Sequence, residues 1–272
     1  LMSDSRFTVA YDGPVATVTL AGPRGKAVMD AQFFVELAET VTALDGNDDV
    51  RVIVFAGSGG HFSFGLDLME AVQAFAQNKA ATDSGGRQDL HAMIRRWQAA
   101  LDVVAKTRKA TVAAVTGWCI GGGVDLAVAC DVRIASADAK FSVREAKVGI
   151  VADLGSLQRL VGMIGDGHLR ELALTGDDID AERAAAIGLV NHVHPDADSA
   201  LAAAADLARR IAANSPLVVR GIKDVLDVER GPRVEAGLRY TAAWNAAFLL
   251  SHDLDEAVTS FIEKRPPEYT GR

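Results

Sequence analysis

Short apolar runs alternate with longer helical segments in the first half of the chain. Residues 7–10 and 15–20 are strand-like and flank an Asp-Gly pair at 12–13, which is typical of a β-hairpin turn. Residues 50–56 and 111–115 are continuous apolar runs, as expected for strands buried on both faces. Strands that alternate with helices predict an α/β core with mostly parallel pairing.

Two helices and one irregular segment separate these strands. Asp30 is suited to cap a helix that continues to about Leu44, because apolar residues recur on one face of that segment. A second helix is predicted from about Gln88 to Lys106 by the same spacing. The polar stretch 71–89 has weak periodicity, so it predicts a mobile loop or lid.

The chain becomes mainly helical towards its C-terminus. Helical periodicity extends over residues 200–213, 216–229, 235–250 and 253–263. We therefore divide the chain into an α/β core that holds the candidate site, residues 1–198, and a helical C-terminal segment, residues 199–272. This segment is expected to pack on the core or on a neighbouring subunit.

Composition argues against several classes of function. The net charge is −8 over 272 residues, which does not fit the clustered Lys and Arg of a nucleic-acid-binding surface. We therefore expect no nucleic-acid partner. No apolar stretch reaches the length of a membrane span, so we do not expect a membrane partner either. Two cysteines, Cys119 and Cys130, lie in apolar stretches and are too few for a disulfide framework. The first residues carry no secretory or transit pattern, and we expect a cytoplasmic protein.

Three carboxylates follow a run of glycines at fixed spacings. The glycines are Gly121, Gly122 and Gly123, and the carboxylates are Asp125, Glu145 and Asp153. Apolar residues flank all three carboxylates, and a carboxylate in such surroundings is costly unless it is paired or hydrogen-bonded. Several together predict an acid–base site, because burial and like charge move their pKa values apart.

Each carboxylate also has a structural explanation when it is taken singly. Asp125 can satisfy backbone donors at the start of its own helix. Glu145 can form a surface ion pair with a basic neighbour. Asp153 can cap a helix.

The glycines suit a site that binds an oxyanion. They connect strand 111–115 to a helix, and the free N–H groups at a helix start attract negative charge. A second glycine-rich turn, residues 57–68, also leads from a strand into a predicted helix, so two turns can each supply one donor to one oxygen. Leu126 does not fit a dinucleotide fingerprint, no Gly-Lys-Ser/Thr follows, and His61 replaces the first glycine of a nucleophile elbow. Close packing of helix on strand explains the triple glycine equally well.

Two motifs resemble those of the crotonase (enoyl-CoA hydratase/isomerase) superfamily. The first is HFSFGLDL at residues 61–68, and the second is GWCIGGGVDL at residues 117–126. The ending FIEKR at residues 261–265 also fits this superfamily. The similarity extends over nearly the whole chain.

Within the superfamily, the chain looks most like the delta-3,5-delta-2,4-dienoyl-CoA isomerases. The segments that match are CIGGGVDL at 119–126 and EAKVGIVADLGSLQRL at 145–160. Typical hydratases have glutamate where this chain has Asp125, and glycine where it has Asp153. Both departures favour the isomerase.

The resemblance implies a fold and an activity. The expected fold is α/β, the ClpP/crotonase-like spiral of ββα units with a helical C-terminal segment. Family members are usually trimers or dimers of trimers, so residues 199–272 are expected to mediate trimerisation. The implied activity shifts the double bonds of 3,5-dienoyl-CoA to 2,4-dienoyl-CoA in fatty-acid β-oxidation; an enoyl-CoA hydratase or another crotonase reaction is the alternative. No cofactor is expected, because coenzyme A is part of the acyl-CoA substrate.

The resemblance also implies roles for individual residues. The backbone N–H groups of Leu66 and Gly122 would form an oxyanion hole for the thioester oxygen. Glu145 and Asp153 would be the proton-transfer pair. Asp125 would lie beside the thioester and orient the reacting end.

The sequence offers three candidate contacts with coenzyme A and one pair of histidines that could be considered for a metal. Arg24, Lys26 and Lys264 correspond to positions at which the family meets coenzyme A, but each is also explained as a solvated surface charge. His192 and His194 have the strand spacing that places both rings on one face. No third ligand accompanies them in the sequence, so we expect no metal site.

Overall fold

The computed structural model describes residues 5–22, 27–67, 70 and 84–272. Its strands, numbered in chain order, are β1 Phe7–Asp12, β2 Val15–Leu20, β3 Val28–Met29, β4 Val52–Gly57, β5 Gly65–Leu66, β6 Ala110–Val115, β7 Trp118–Ile120, β8 Val132–Ser136, β9 Lys140–Ser142, β10 Ile179–Asp180 and β11 His192–His194. Its α-helices are α1 Ala31–Gly46, α2 Ser84–Lys106, α3 Gly122–Ala129, α4 Ser156–Arg159, α5 Asp166–Thr175, α6 Ala181–Ala186, α7 Ala197–Ala212, α8 Pro216–Phe248 and α9 His252–Glu263. A 3₁₀ helix spans Glu145–Val148.

The main sheet has the strand order β1-β2-β4-β6-β8-β11. β1 and β2 pair antiparallel with Asp12 opposite Val15, which confirms the predicted hairpin. The other neighbours in this sheet pair in parallel. Every residue of β6 is buried, as expected for a strand that is covered on both faces. The α/β class and the parallel pairing predicted from the sequence are confirmed.

Strands of the main sheet are followed by short strands that leave it for smaller sheets. β4 leads to β5, which pairs with β3, while β6 leads to β7 and β8 leads to β9. β7 and β9 pair in parallel, and an isolated bridge between Ser63 and Cys119 joins the segment before β5 to β7. This repetition of strand pairs brings the two glycine-rich turns together.

The helices of the first half begin close to where the sequence predicts them. The carboxylate of Asp30 accepts a hydrogen bond from the N–H of Phe33 at 2.8 Å and caps α1. α2 spans Ser84–Lys106, so residues 84–89 of the predicted loop are helical, and residues 71–83 of that prediction lie outside the described residues. Gly85 and Gly86 are helical despite the low helix propensity of glycine.

The C-terminal helices pack on both the sheet and α2. α7 places four buried alanines at spacings of four residues against the main sheet. α8 is continuous, whereas the sequence predicted a break between residues 229 and 235. Pro232 removes one backbone hydrogen bond, but buried residues on the second half of α8 pack on α2 and maintain the helix. The division of the chain at residue 198 stays a prediction.

Two smaller findings concern the surroundings of the core. Cys119 and Cys130 are both buried and free of a disulfide. Among the helices of the described ranges, none combines the length and the apolar character that crossing a membrane requires.

Candidate active site

Two backbone N–H groups meet between β5 and the start of α3. Gly65 adopts φ +76°, and a Cβ atom there would lie 3.2 Å from the nitrogen of Gly122, so glycine allows this close approach. The N–H of Asp67 donates to the carbonyl of Met29, and neighbouring N–H groups of a strand point to opposite sides. The N–H of Leu66 therefore points away from β3. Gly122 is the first residue of α3, where N–H groups lack a partner within the helix.

The glycines on either side of Gly122 have different functions. Gly121 adopts φ +52°, and a Cβ atom there would lie 3.0 Å from Oε1 of Glu145. A Cβ atom at Gly123 would lie 2.9 Å from the Cβ atom of Ser63. The triple glycine thus serves close packing at Gly123 and lets the carboxylate of Glu145 approach the backbone at Gly121. That these glycines bind an oxyanion stays a prediction.

Asp125 is almost completely buried in the first turn of α3. Its Oδ1 accepts a hydrogen bond from the N–H of Ser156 at 2.5 Å, whereas Oδ2 is buried without a partner in the described part of the chain. Burial raises the pKa of this carboxyl, and the hydrogen bond from Ser156 and the charge of Arg159 oppose that rise. Asp125 therefore fixes a loop 31 residues away rather than the start of its own helix.

Glu145 begins the 3₁₀ helix and turns its carboxylate inward. Oε2 is buried and has no hydrogen-bond partner among the described residues. Burial raises the pKa of Glu145, and the negative charge of Asp125 raises it further. The neighbouring basic residues pair elsewhere, Arg144 with Asp178 and Lys147 with Asp177. Glu145 is therefore not the surface ion pair that its sequence neighbours suggested.

Asp153 is held by amide side chains from two helices. Its Oδ2 accepts a hydrogen bond from Nδ2 of Asn245 at 2.6 Å, and its carbonyl accepts one from Nε2 of Gln98, also at 2.6 Å. Burial raises the pKa of Asp153 to about 7, although the hydrogen bond from Asn245 opposes this rise. Gly155, not Asp153, caps α4. The helix-cap explanation of Asp153 is therefore wrong.

Sequence reasoning missed the residues that hold the carboxylates. Asn245 lies 92 residues after Asp153, and Gln98 lies 55 residues before it, so no local motif links them. Both amides are about 1% exposed. Each could have been found in the sequence as a single polar residue on the apolar face of a predicted helix, because a buried amide requires hydrogen-bond partners.

A buried ion pair lies behind these carboxylates. The guanidinium of Arg159 pairs with the carboxylate of Asp102 and donates to the carbonyl of Leu154 at 3.2 Å. Gly155 adopts φ +133°, and a Cβ atom there would lie 1.6 Å from Nη1 of Arg159. The loop that carries Asp153 is consequently shaped around a positive charge.

The other predicted residues lie either away from this group or outside the residues that the structure describes. Arg24 and Lys26 lie outside the described residues. Lys264 is exposed at the end of α9 with φ +55°. His192 and His194 lie on β11 at the edge of the main sheet. Across the described ranges, no three His, Cys, Asp or Glu side chains are arranged to hold a metal ion.

An apolar cavity of about 480 Å³ adjoins Leu66 between α1 and α2. Its apolar lining includes Phe34, Val35, Ala38, Met93, Trp97 and Val103. The site therefore combines two backbone donors, three carboxylates with raised pKa values, and an apolar cavity. Near neutral pH such a group can accept one proton, donate another, and stabilise negative charge on an oxygen.

Comparison with known proteins identifies relatives over nearly the full length. The family model described as enoyl-CoA hydratase/isomerase matches residues 11–272. The mitochondrial delta(3,5)-delta(2,4)-dienoyl-CoA isomerase of Dictyostelium discoideum is 45% identical, over 93% of this chain and 86% of that protein. The peroxisomal dienoyl-CoA isomerase of Arabidopsis thaliana is 39% identical, over 95% of this chain and 93% of that protein.

A solved structure gives the same result for the fold. An enoyl-CoA hydratase/isomerase from Pseudoalteromonas atlantica superposes with a TM-score of 0.83 at 25% identity, over 97% of this chain and 100% of that one. The predicted crotonase fold, with its helical C-terminal segment, is thereby confirmed.

The expectation of a cytoplasmic protein is wrong. The two dienoyl-CoA isomerases named above are mitochondrial and peroxisomal proteins. The expectation depended on the lack of a targeting pattern in the given residues and on two unpaired cysteines, and targeting addresses are read by receptors rather than by the fold. The fold and the match over residues 11–272 support a firmer conclusion: the chain belongs to the enoyl-CoA hydratase/isomerase family, the crotonases.

Proposed function

We propose that this protein isomerises 3,5-dienoyl-CoA to 2,4-dienoyl-CoA. The observation that carries the proposal is the carboxylate of Asp153, held by Asn245 at 2.6 Å in a buried group with Glu145 and Asp125. Two of the relatives described above are named as dienoyl-CoA isomerases. The substrate is an acyl-CoA thioester, and the reaction requires no further cofactor because only protons and double bonds move.

The reaction moves one proton away from C2 and another onto C6. One carboxylate of the Glu145–Asp153 pair removes the C2 proton, and the C–H electrons form an enolate that is conjugated with both double bonds of the diene. Its negative charge collects on the thioester oxygen, where the N–H groups of Leu66 and Gly122 stabilise it. The protonated partner then donates its proton to C6, which completes the 2,4-diene. Removing one such backbone donor typically costs about 3–4 kcal/mol of transition-state stabilisation.

Asp125 orients the reacting end of the substrate in this proposal. Its Oδ1 is fixed by the N–H of Ser156, which leaves the buried Oδ2 available to the site. The charge of Asp125 also raises the pKa values of Glu145 and Asp153. One of the pair is therefore kept protonated near neutral pH, as an isomerase requires.

Hydration of a 2-enoyl-CoA is the second candidate, and it fits the residues less well. A hydratase needs two carboxylates that converge on one water molecule. Asp125 is one methylene shorter than glutamate, so it reaches such a water less well. The additional carboxylate, Asp153, is buried at a cost that hydration does not explain.

Coenzyme A contacts and oligomeric state belong to the same proposal. Arg24, Lys26 and Lys264 are proposed to meet the nucleotide part of coenzyme A. The protein is proposed to form a trimer or a dimer of trimers through residues 199–272. Large apolar side chains exposed on α8 support association, since monomers rarely expose such patches; these are Leu217, Val218, Ile222, Val225, Leu226 and Val228. Sedimentation at several concentrations gives the number of chains.

A spectrophotometric assay with 3,5-octadienoyl-CoA tests the activity. We expect the conjugated 2,4-dienoyl absorbance to grow with the unmodified protein and not with Asp153→Asn. Asp166→Asn, at an exposed carboxylate on α5, is the matched control and should behave as the unmodified protein. Absence of activity on the diene, together with hydration of crotonyl-CoA that survives Asp153→Asn, would establish the hydratase instead.

A further inference from the structure

Arg159 is a buried cation that contacts the loop directly after Asp153. Its side chain is 3% exposed, and that of its ion-pair partner Asp102 is 12% exposed. The guanidinium also donates to the carbonyl of Leu154, the residue after Asp153. Two residues further, the N–H of Ser156 donates to Asp125. One positive charge therefore adjoins the backbone that presents Asp153 and anchors Asp125.

The loop passes so close to the guanidinium that position 155 has no room for a side chain. At Gly155 the backbone has φ +133°, and the guanidinium occupies the volume that a Cβ atom would need. A buried ion pair is costly to assemble, and replacing it with apolar residues often stabilises a protein. Stability alone therefore does not explain the ion pair of Arg159 and Asp102, and the positive charge of Arg159 needs another explanation.

The charges around Arg159 are of both signs, whereas the ionisable groups around Asp125 are acidic. A cavity of about 210 Å³ that Arg159 lines is also lined by the charged groups of α2, α8 and the segment after α3: Asp102, Lys106, Asp131, Lys223, Asp227, Arg230 and Glu235. Groups that face Asp125 are Glu145, Asp153 and Cys119. Burial raises the pKa of the Cys119 thiol well above its usual range, so this group is neutral. Arg159 is the cation whose charge acts on Asp125.

We propose that Arg159 is a positioning residue that keeps Asp125 as the ionised member of the carboxylate group and so leaves the exchangeable proton to Glu145 and Asp153. Its charge opposes the effect of burial at Asp125, and its contact with Leu154 fixes the loop that bears the hydrogen bond to Asp125. Only the kinetic consequence of this proposal depends on the proposed isomerase activity.

The first test is an infrared titration of the carboxyl groups, which requires no substrate. The double variant Arg159→Gln with Asp102→Asn removes both charges and retains side chains that can hydrogen-bond. Each variant is measured with and without the additional substitution Asp125→Asn. The difference between the two infrared titrations gives the titration of Asp125. We expect the titration midpoint of Asp125 to rise by about one pH unit or more, a tenfold change in proton affinity. Arg159→Lys should restore the original midpoint.

The single variant Asp102→Asn gives an independent measurement if the double variant does not fold. It leaves Arg159 in place without its counter-charge, so the midpoint of Asp125 should fall. A matched control is Arg6→Gln with Asp30→Asn, which neutralises another buried ion pair, at the start of α1. The control should leave the midpoint of Asp125 where it was.

The kinetic test follows the acidic limb of the profile of kcat/KM against pH on the 3,5-diene. Neutralising Arg159 should move this limb to lower pH, because a protonated Asp125 no longer raises the pKa values of Glu145 and Asp153. Arg159→Lys should lower the rate without moving the limb. An unchanged midpoint of Asp125 in the double variant, or in Asp102→Asn, would overturn the proposal even if the isomerase activity is established. A shifted midpoint in a protein without activity on the diene would support it and overturn the proposed function instead.

Discussion

The two halves of the candidate site are built by opposite means. The donor half, formed by β5 and the start of α3, uses backbone N–H groups that approach closely because glycines occupy positions 65, 121, 122 and 123. The carboxylate half uses side chains from three separate segments, and their partners come from helices distant in the chain. The donor half has a fixed charge distribution at every pH, whereas the carboxylate half changes its charge near neutrality.

The donor half is fixed in geometry, whereas the carboxylate half can be adjusted in protonation. A backbone donor needs no particular protonation state, but any added side chain at the glycines displaces it. A buried carboxylate can be tuned by its neighbours, but it costs stability whenever it is ionised without adequate partners. The two halves should therefore respond differently to substitution and to pH.

Removal of one proton-transfer group should have the largest effect. Asp153→Asn and Glu145→Gln keep the shape of each side chain but cannot exchange the proton. We expect kcat on 3,5-octadienoyl-CoA to fall by about 10²–10⁴-fold, with KM nearly unchanged. Steady-state kinetics give both constants, and a retained kcat would remove that residue from the proposed pair.

A side chain in the donor half should cost somewhat less activity. In Gly65→Ala the Cβ atom would lie 2.6 Å from the carbonyl oxygen of Ile120, which displaces the N–H of Leu66. We expect a loss in kcat of about 10²–10³-fold, the usual cost of one oxyanion donor. Gly60→Ala is a matched control, because Gly60 also has a positive φ (+80°) but meets nothing within 4 Å. Equal losses in both variants would show that backbone strain, not the donor, is responsible.

The pH dependence of kcat/KM should distinguish the two halves. On each side of its maximum, kcat/KM should change by about tenfold per pH unit. Burial raises the pKa values of Glu145 and Asp153, the latter to about 7. Below this range both groups are protonated and no base remains, whereas above it both are ionised and no acid remains. The profile of kcat/KM should be bell-shaped around neutral pH. Gly65→Ala should lower the whole profile without shifting it, and a shift in that variant would contradict the separation.

Stability should move in opposite directions in the two halves. A carboxyl whose folded pKa is raised stabilises the fold below the unfolded pKa, and that contribution is lost as pH rises through the folded value. For Asp153 the loss occurs between about pH 4 and pH 7. Asp153→Asn should therefore raise Tm at pH 7 by a few degrees, since about 1 kcal/mol corresponds to roughly 2–4 °C. Scanning calorimetry at pH 4 and pH 7 should show the gain at pH 7 alone, while Gly65→Ala should lower Tm at both.

The smallest effect is expected outside both halves. Lys264 is exposed after α9, so its proposed contact with coenzyme A is screened by solvent. Lys264→Ala should raise KM by about threefold to fivefold, with kcat unchanged. Lys140→Ala is the control for loss of a partly exposed lysine. The same KM in both variants would remove Lys264 from the proposed coenzyme A contacts.

The donor half was easier to predict from the sequence than the carboxylate half. Its parts are consecutive residues of two turns, and strand pairing brings those turns together in a regular way. The three carboxylates were also predicted, because charged residues in apolar segments require an explanation. Their partners Gln98, Asn245 and Arg159 were not, since contacts over 30 to 90 residues depend on how helices pack. The break predicted at Pro232 failed for the same reason, because packing on α2 outweighs the lost hydrogen bond.

The hydrogen bond from Asn245 to Asp153 has a consequence for the life of the chain in the cell. A polypeptide released by the ribosome before residue 245 would contain both donors and all three carboxylates, yet it would lack the amide that orients one of them. Such a truncated product could complete the main sheet and still be inert. The proposed activity would thus require that synthesis has passed residue 245, on the long helix α8.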